Sequence, residues 1–187
     1  MKPLIFDEQL IEKCRSGDRK AQRALVAYFS RPMFLHCYRY LKDKSDTEEV
    51  VSDGFVKIFQ HITDFEYRDK PSFEGWIRRI MINEALGFLR KRKKLMYVDE
   101  KEQELIPEQL SVDGSLAAED IYQLILSLPV KYRTVFNMYV IEGYTHQEIA
   151  EILEITESTS RSQLARARKM LQELMVKTNE RYDTGRV

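Results

Sequence analysis

Glycine and proline are scarce, with 7 and 5 residues in a chain of 187. That argues against a turn-rich β sandwich and for helices. No run approaches the roughly 20 apolar residues of a membrane-spanning helix, so no membrane insertion is expected. The opening Met1-Lys2-Pro3-Leu4-Ile5-Phe6-Asp7 is too short and too soon charged for a secretory signal, which predicts a cytoplasmic protein. Cysteine is nearly absent. Cys14 and Cys37 lie far apart with no Cys-x-x-Cys, so two reduced structural thiols are expected. His36 stands beside Cys37, but no second ligand pair follows, and no metal site is expected. His36, His61 and His146 read as ordinary residues. A Gly-rich phosphate loop, a Gly-x-Ser-x-Gly and a His-Glu-x-x-His are all missing, so neither catalytic residues nor cofactors are expected.

The formal net charge is zero, which taken alone argues against a nucleic-acid partner. The distribution reverses that. From Arg78 to Lys94 the basic residues are Arg78, Arg79, Arg90, Lys91, Arg92, Lys93 and Lys94, against Glu84 alone. From Asp99 to Asp120 the sign flips, with Asp99, Glu100, Glu102, Glu104, Glu108, Asp113, Glu119 and Asp120 against Lys101. Opposite charge blocks mark distinct surfaces better than their sum does.

The length suits one ordinary domain or two small ones. Residues 7–42 read as helical, with Gly17-Asp18 separating two helices and Arg31-Pro32 suggesting a break. A helix is expected over Asp46–Ile62, capped by Ser45 or Asp46, with Val50, Val51, Phe55, Ile58, Phe59 and Ile62 at helical spacing. Gly54 inside it costs about 1 kcal/mol relative to alanine. Residues 63–71 form a loop, and Ser72–Lys94 a further helix. Residues 96–117 lack periodicity, are acidic and contain Pro107 and Gly114, as a mobile linker does. Beyond it, helices are expected over about 119–127 and 130–142. Thr145 and Glu148 make a capping box for a helix burying Ile149, Ile152 and Leu153. Glu154-Ile155-Thr156 turns the chain, and Thr156 or Ser158 caps a last helix. In that helix Leu164, Ala167, Leu171 and Leu174 face inward.

Two short helices, a tight turn and a longer basic helix outline a helix-turn-helix, whose second helix enters the DNA major groove. The inward seam leaves Arg161, Ser162, Ala165, Arg166 and Lys169 outward. Arginine pairs with guanine O6 and N7, serine serves either base type, and a small alanine permits close approach. Arg168 and Lys169 suit phosphates. A solvated basic face is the bland alternative, and the agreement of caps, turn and charge favours DNA. The Trp76–Lys94 segment mixes an aromatic, Asn83 and a basic run, as single-strand binders do. Taken alone that signal is weak, since a tryptophan at helical spacing is more often core.

These residues together resemble a family. Leu128-Pro129-Val130-Lys131-Tyr132-Arg133-Thr134-Val135-Phe136, Glu142-Gly143-Tyr144-Thr145-His146-Gln147-Glu148-Ile149-Ala150-Glu151 and Ser158-Thr159-Ser160-Arg161-Ser162-Gln163-Leu164-Ala165-Arg166-Ala167-Arg168 resemble region 4 of sigma-70-family factors, in the short extracytoplasmic-function (ECF) group. Asp46-Thr47-Glu48-Glu49-Val50-Val51-Ser52-Asp53-Gly54-Phe55-Val56-Lys57-Ile58-Phe59 resembles region 2.2, which docks on the clamp of core RNA polymerase. Phe73-Glu74-Gly75-Trp76-Ile77-Arg78-Arg79-Ile80-Met81-Ile82-Asn83 resembles regions 2.3 and 2.4, which open and read the −10 element. Ser52-Asp53-Gly54 departs from a common Gln-Glu-Thr. Glu84 stands where a small polar residue is common, and Ser158 and Ser160 replace a frequent glycine and an aliphatic residue.

The resemblance implies an all-α protein of two small helical domains joined by a flexible acidic linker: 1–95, 96–117 and 118–187. It implies a non-enzymatic initiation factor that binds core polymerase at the β′ clamp and β flap and directs it to promoter DNA. Polymerase contacts would come from Asp46, Glu48, Glu49, Val50, Asp53, Phe55 and Ile58. The melted −10 strand would be captured by Ser72, Phe73, Trp76, Arg79 and Asn83. The −35 duplex would be read by Arg161, Ser162, Ala165, Arg166, Arg168 and Lys169. An anti-sigma factor is a further implied partner. The alternative class is a free-standing helix-turn-helix regulator, which would not need the 46–62 surface. A nuclease would need a carboxylate or histidine cluster, and none is evident.

Overall fold

The computed structural model describes residues 6–95 and 116–184, with side chains described for 6–92 and 121–176. The described residues are all-α, with no strand among them. The chain falls into two compact units that divide between Leu95 and Met96. The acidic linker expected over 96–117 lies outside the described residues except for its last two positions, which open a helix.

The first unit holds α1 (Glu8–Arg15), α2 (Arg19–Leu41), α3 (Lys44–His61) and α4 (Lys70–Leu95). Aspartates start the first three. Asp7 accepts from the Leu10 amide, Asp18 from Lys20 and Ala21, and Asp43 from Asp46. A short carboxylate at this position satisfies amides that have no partner within the helix and favours the positive end of the helix dipole. Gly17, at φ +81°, turns the chain between α1 and α2.

Two boundaries differ from expectation. Asp43, not Ser45 or Asp46, caps α3. α4 starts at Lys70, not Ser72. Asp69 accepts from the Ser72 amide at 2.7 Å while Ser72 Oγ accepts from the Asp69 amide at 3.2 Å, a reciprocal cap. Pro71 then sits in the first turn, where its missing N–H costs nothing.

The expected break at Pro32 is absent, and α2 runs through it. An interior proline costs a helix about 3 kcal/mol. Pro32 is exposed, so the Tyr28 carbonyl left without its amide faces the solvent side. Phe29, Met33, Cys37 and Leu41 are buried on the other side. Each such side chain contributes about 1.5–3 kcal/mol by burial, so packing outweighs the kink.

Ile58 of α3, Ile62 at its C-terminal cap and Ile77, Met81 and Ala85 of α4 complete this core. Gly54 has a packing reason: a Cβ there would stand 2.3 Å from Met81 Sδ, so the glycine lets α3 and α4 approach. Arg15, at the end of α1, donates through Nε to the Ile62 carbonyl at 3.1 Å and through a terminal nitrogen to that of Phe65. It thereby satisfies the end of α3 and anchors the following loop.

Both thiols are buried. Burial, and then the charge of Asp18, pushes Cys14 up to about 11, and the Cys37 Sγ lies 3.6 Å from the Met81 carbonyl. The Cys14 thiol therefore provides no thiolate near neutral pH.

The second unit holds α5 (Leu116–Ser127), α6 (Val130–Phe136), a π-helical turn (Asn137–Ile141), α7 (His146–Leu153) and α8 (Glu157–Thr184). Helix α5 therefore opens a turn earlier than expected. Arg133 is buried, and one terminal nitrogen reaches the Leu126 and Leu128 carbonyls at 3.3 and 2.8 Å, which caps the end of α5. The π turn closes with the Tyr144 amide donating to the Met138 carbonyl at 3.0 Å across Gly143, at φ +77°.

Candidate nucleic-acid interface

The turn of the second unit is built as its residues predict. Thr145 accepts from the Glu148 amide at 3.2 Å, and Glu148 accepts from the Thr145 amide at 2.8 Å. Helix α7 ends at Glu154 in the left-handed region, φ 55°. Thr156 is then the cap, accepting from the Thr159 amide at 3.0 Å, so of the two candidates Thr156 and not Ser158 is used. Ile149, Leu164 and Ala167 are buried, whereas Ile152, Leu153, Leu171 and Leu174 are only half-buried.

Arg161, Ser162, Ala165, Arg166, Arg168 and Lys169 are all exposed along α8, which brings the six expected −35 residues onto one solvent-facing surface. Arg161 is paired with Glu157 at 2.9 Å. The Arg168 guanidinium lies over the Tyr139 ring, 5.9 Å from its centroid. Tyr139 stacks on His146 at 4.4 Å, and His146 Nδ1 lies 2.9 Å from Ser160 Oγ. Ser160 is fully buried. Its partner lies fourteen residues away on another helix, which the periodic pattern does not reveal.

On α4, spacings of four, three and four residues place Ser72, Trp76, Arg79 and Asn83 on one face. Arg79 and Asn83 are exposed, and Trp76 is half-buried. Trp76 rests on Phe65 at 4.9 Å and on Phe73 at 5.7 Å. Below lie Phe6, Tyr28, Phe29 and Tyr67, which make a continuous aromatic cluster. Phe73 corrects the expectation. It is 0% exposed, at the centre of that cluster, and cannot touch a DNA strand while the unit is folded. It supports Trp76 instead. The Ser72 hydroxyl is occupied by the cap with Asp69.

Glu84, the lone acid between Arg78 and Lys94, is turned to Lys57 of α3 at 2.7 Å and away from the Trp76–Asn83 face. Arg90, Lys91 and Arg92 are exposed, and Arg92 pairs with Asp46 at 2.6 Å. The side chains of Lys93 and Lys94 lie outside the described residues.

Helix α3 needs a larger correction. Val50, Phe55 and Ile58, expected to contact a partner, are buried in their own unit. Their helical spacing fits a core as well as a docking face, and their burial assigns them to the core. Glu48, Glu49 and Asp53 are exposed, and Asp46 is half-buried in its pair with Arg92. A residue not singled out joins them: Val56 is 53% exposed, an apolar side chain among charges.

His36 is no ligand. Its Nδ1 lies 2.6 Å from the Arg39 guanidinium. Burial first, then Arg39 and Arg78, push its pKa down to about 4. Among the described residues, no helix is long and apolar enough to cross a membrane, and no group of three or more His, Cys, Asp and Glu is placed to hold a metal ion.

Described residues that are all helical, with a helix-turn-helix in one unit and a basic, aromatic helix face in the other, are the arrangement of a DNA-binding protein. Residues 25–95 match the family model "Sigma-70 region 2" and residues 118–171 match "Sigma-70, region 4". The chain belongs to the sigma-70 family, in its ECF group. It is 29% identical over 174 residues to the ECF RNA polymerase sigma factor SigW of Bacillus subtilis, covering 86% of this chain and 92% of that relative. It is 26% identical over 188 residues to the ECF RNA polymerase sigma-E factor of Haemophilus influenzae, covering 90% and 94%. The fold is shared with the sigma factor RpoE in its co-crystal with the anti-sigma factor NepR from Bartonella quintana. That match has 21% identity and a TM-score of 0.53, and covers 82% of this chain and 95% of that one.

Proposed function

We propose that this protein is a transcription initiation factor that binds core RNA polymerase and directs it to promoters. It acts in the cytoplasm by binding alone, and the polymerase performs the chemistry. Residues 1–95 bind core polymerase and the melted −10 strand, 96–117 link, and 118–187 read the −35 duplex. The carrying observation is the pairing in one chain of the exposed α8 stripe Arg161–Arg166 with the Trp76–Arg79–Asn83 face. The first suits base edges in a duplex and the second suits unstacked bases. A free-standing regulator has use for the first and none for the second.

Polymerase docking falls to the exposed stripe Glu48, Glu49, Asp53 and Val56 of α3. Acidic side chains around one apolar contact suit a basic partner surface. The β′ clamp is the partner for this stripe, and the β flap for the second unit. Because a similar fold is held by an anti-sigma factor in the RpoE co-crystal, an anti-sigma partner is part of the proposal. The test is co-purification of the full chain with core polymerase, followed by footprinting with and without core. Retention on core and a footprint that includes the −10 region only with core are expected. A complete footprint by the chain alone, with no retention on core, favours the free-standing regulator.

A further inference from the structure

A side-chain hydrogen bond joins the two helices of the helix-turn-helix. Ser160, in the first turn of α8, is fully buried, and a buried hydroxyl requires a partner. Its Oγ lies 2.9 Å from Nδ1 of His146, the first residue of α7. The same imidazole stacks on Tyr139 of the π turn, with centroids 4.4 Å apart and planes 23° apart. Arg168 reaches over that tyrosine from about two turns further along α8. Three elements are thus joined through one ring.

We propose that His146 and Ser160 form a positioning pair. Their hydrogen bond, with the imidazole braced on Tyr139, fixes the pitch and rotation of α8 and so decides which base edges Arg161 and Arg166 reach. This rests on the reading of α8 as the DNA-recognition helix. An aliphatic side chain at 160 would fill the same space without direction. A hydroxyl and a ring nitrogen meet well only over a narrow range of distance and angle, so the pair selects one seating of the helix. Ser160 directly precedes Arg161, and Arg168 shares the Tyr139 platform. A shift of the pair therefore moves both ends of the basic stripe.

The test uses the full chain as wild type, His146→Phe, Ser160→Ala and the double variant. Phenylalanine keeps a flat ring for Tyr139 and removes the nitrogen. Each protein selects from a pool of duplexes with a randomised segment. Its affinity is then measured for the duplex selected by wild type and for a scrambled one. Each single variant is expected to lose about 5-fold on the selected duplex and nothing on the scrambled one, the loss of one net hydrogen bond. The double variant should be no worse than the weaker single, because either change alone breaks the bond. The variants should also enrich a different sequence from wild type.

Losses that multiply in the double variant, equal losses on both duplexes, an unchanged selected sequence, or no enrichment by wild type would each overturn the proposal. Failure of the sigma reading shows elsewhere, as a wild-type chain that enriches a duplex but is not retained on core polymerase.

Discussion

Trp76 has two neighbourhoods at once. Part of its ring rests on Phe65 and Phe73, and the remainder is open beside Arg79 and Asn83. A base stacked on such a ring contributes about 1–3 kcal/mol. Trp76→Ala should therefore weaken binding of the polymerase complex to a single-stranded −10 probe by about 10- to 100-fold. Duplex binding through α8 should stay unchanged, both read by fluorescence anisotropy. His36 carries the residue-scale pH dependence. Its pKa is about 6.5 in an unfolded chain and about 4 in this fold, through burial and the arginines. As the pH falls through that window the unfolded chain takes up the proton first, so this contribution to stability is complete above about 6.5 and is lost progressively down to about 4. Thermal midpoints at about pH 7.5 and about pH 5 should fall further apart in wild type than in His36→Gln. Exposed residues such as Arg161 and Arg79 were legible from residue type and spacing alone. Ser160 and Phe73 were not, because each is defined by partners from other helices that folding brings near, and Arg133 was not because burying a guanidinium to cap a local helix end leaves no periodic signal.

At the scale of elements, the helices and the turn were legible and their ends less so. The apolar period begins at the first buried residue, whereas a helix begins at its cap. Asp43 and Asp69 lie beyond the reach of the periodic pattern. Pro32 misled in the other direction, since its local penalty is outweighed by the buried side of α2. Val50, Phe55 and Ile58 show the limit of pattern reading: one 3.6-residue period serves a core and a docking face equally, and burial decides between them. Gly54 gives the element-scale prediction. Alanine recovers about 1 kcal/mol of helix propensity, but its methyl must displace the Met81 side chain, and overpacking costs about 1–3 kcal/mol. Gly54→Ala should therefore be less stable than wild type by about 1 kcal/mol in urea unfolding. An alanine variant more stable than wild type would contradict the close approach of α3 and α4.

The whole molecule has no net charge because it divides its charge. Among the described residues, exposed basic side chains include Arg79, Arg90, Lys91 and Arg92 on α4 and Arg161, Arg166, Arg168 and Lys169 on α8, and exposed acids include Glu48, Glu49 and Asp53 on α3. Under the proposed function, these surfaces serve a strand, a duplex and a basic protein partner at the same time. The order of the motifs along the chain was the most legible feature of all, because it survives errors of a few residues at every boundary. The central claim is that these surfaces act together on one polymerase. Run-off transcription by core polymerase, with and without the full chain, tests it most directly, on a template carrying the duplex that the chain selects and a −10 segment downstream. A discrete transcript that requires the chain, and is lost when either DNA element is scrambled, is the predicted result. Transcript levels independent of the chain, with the chain nonetheless bound to the duplex, would contradict it.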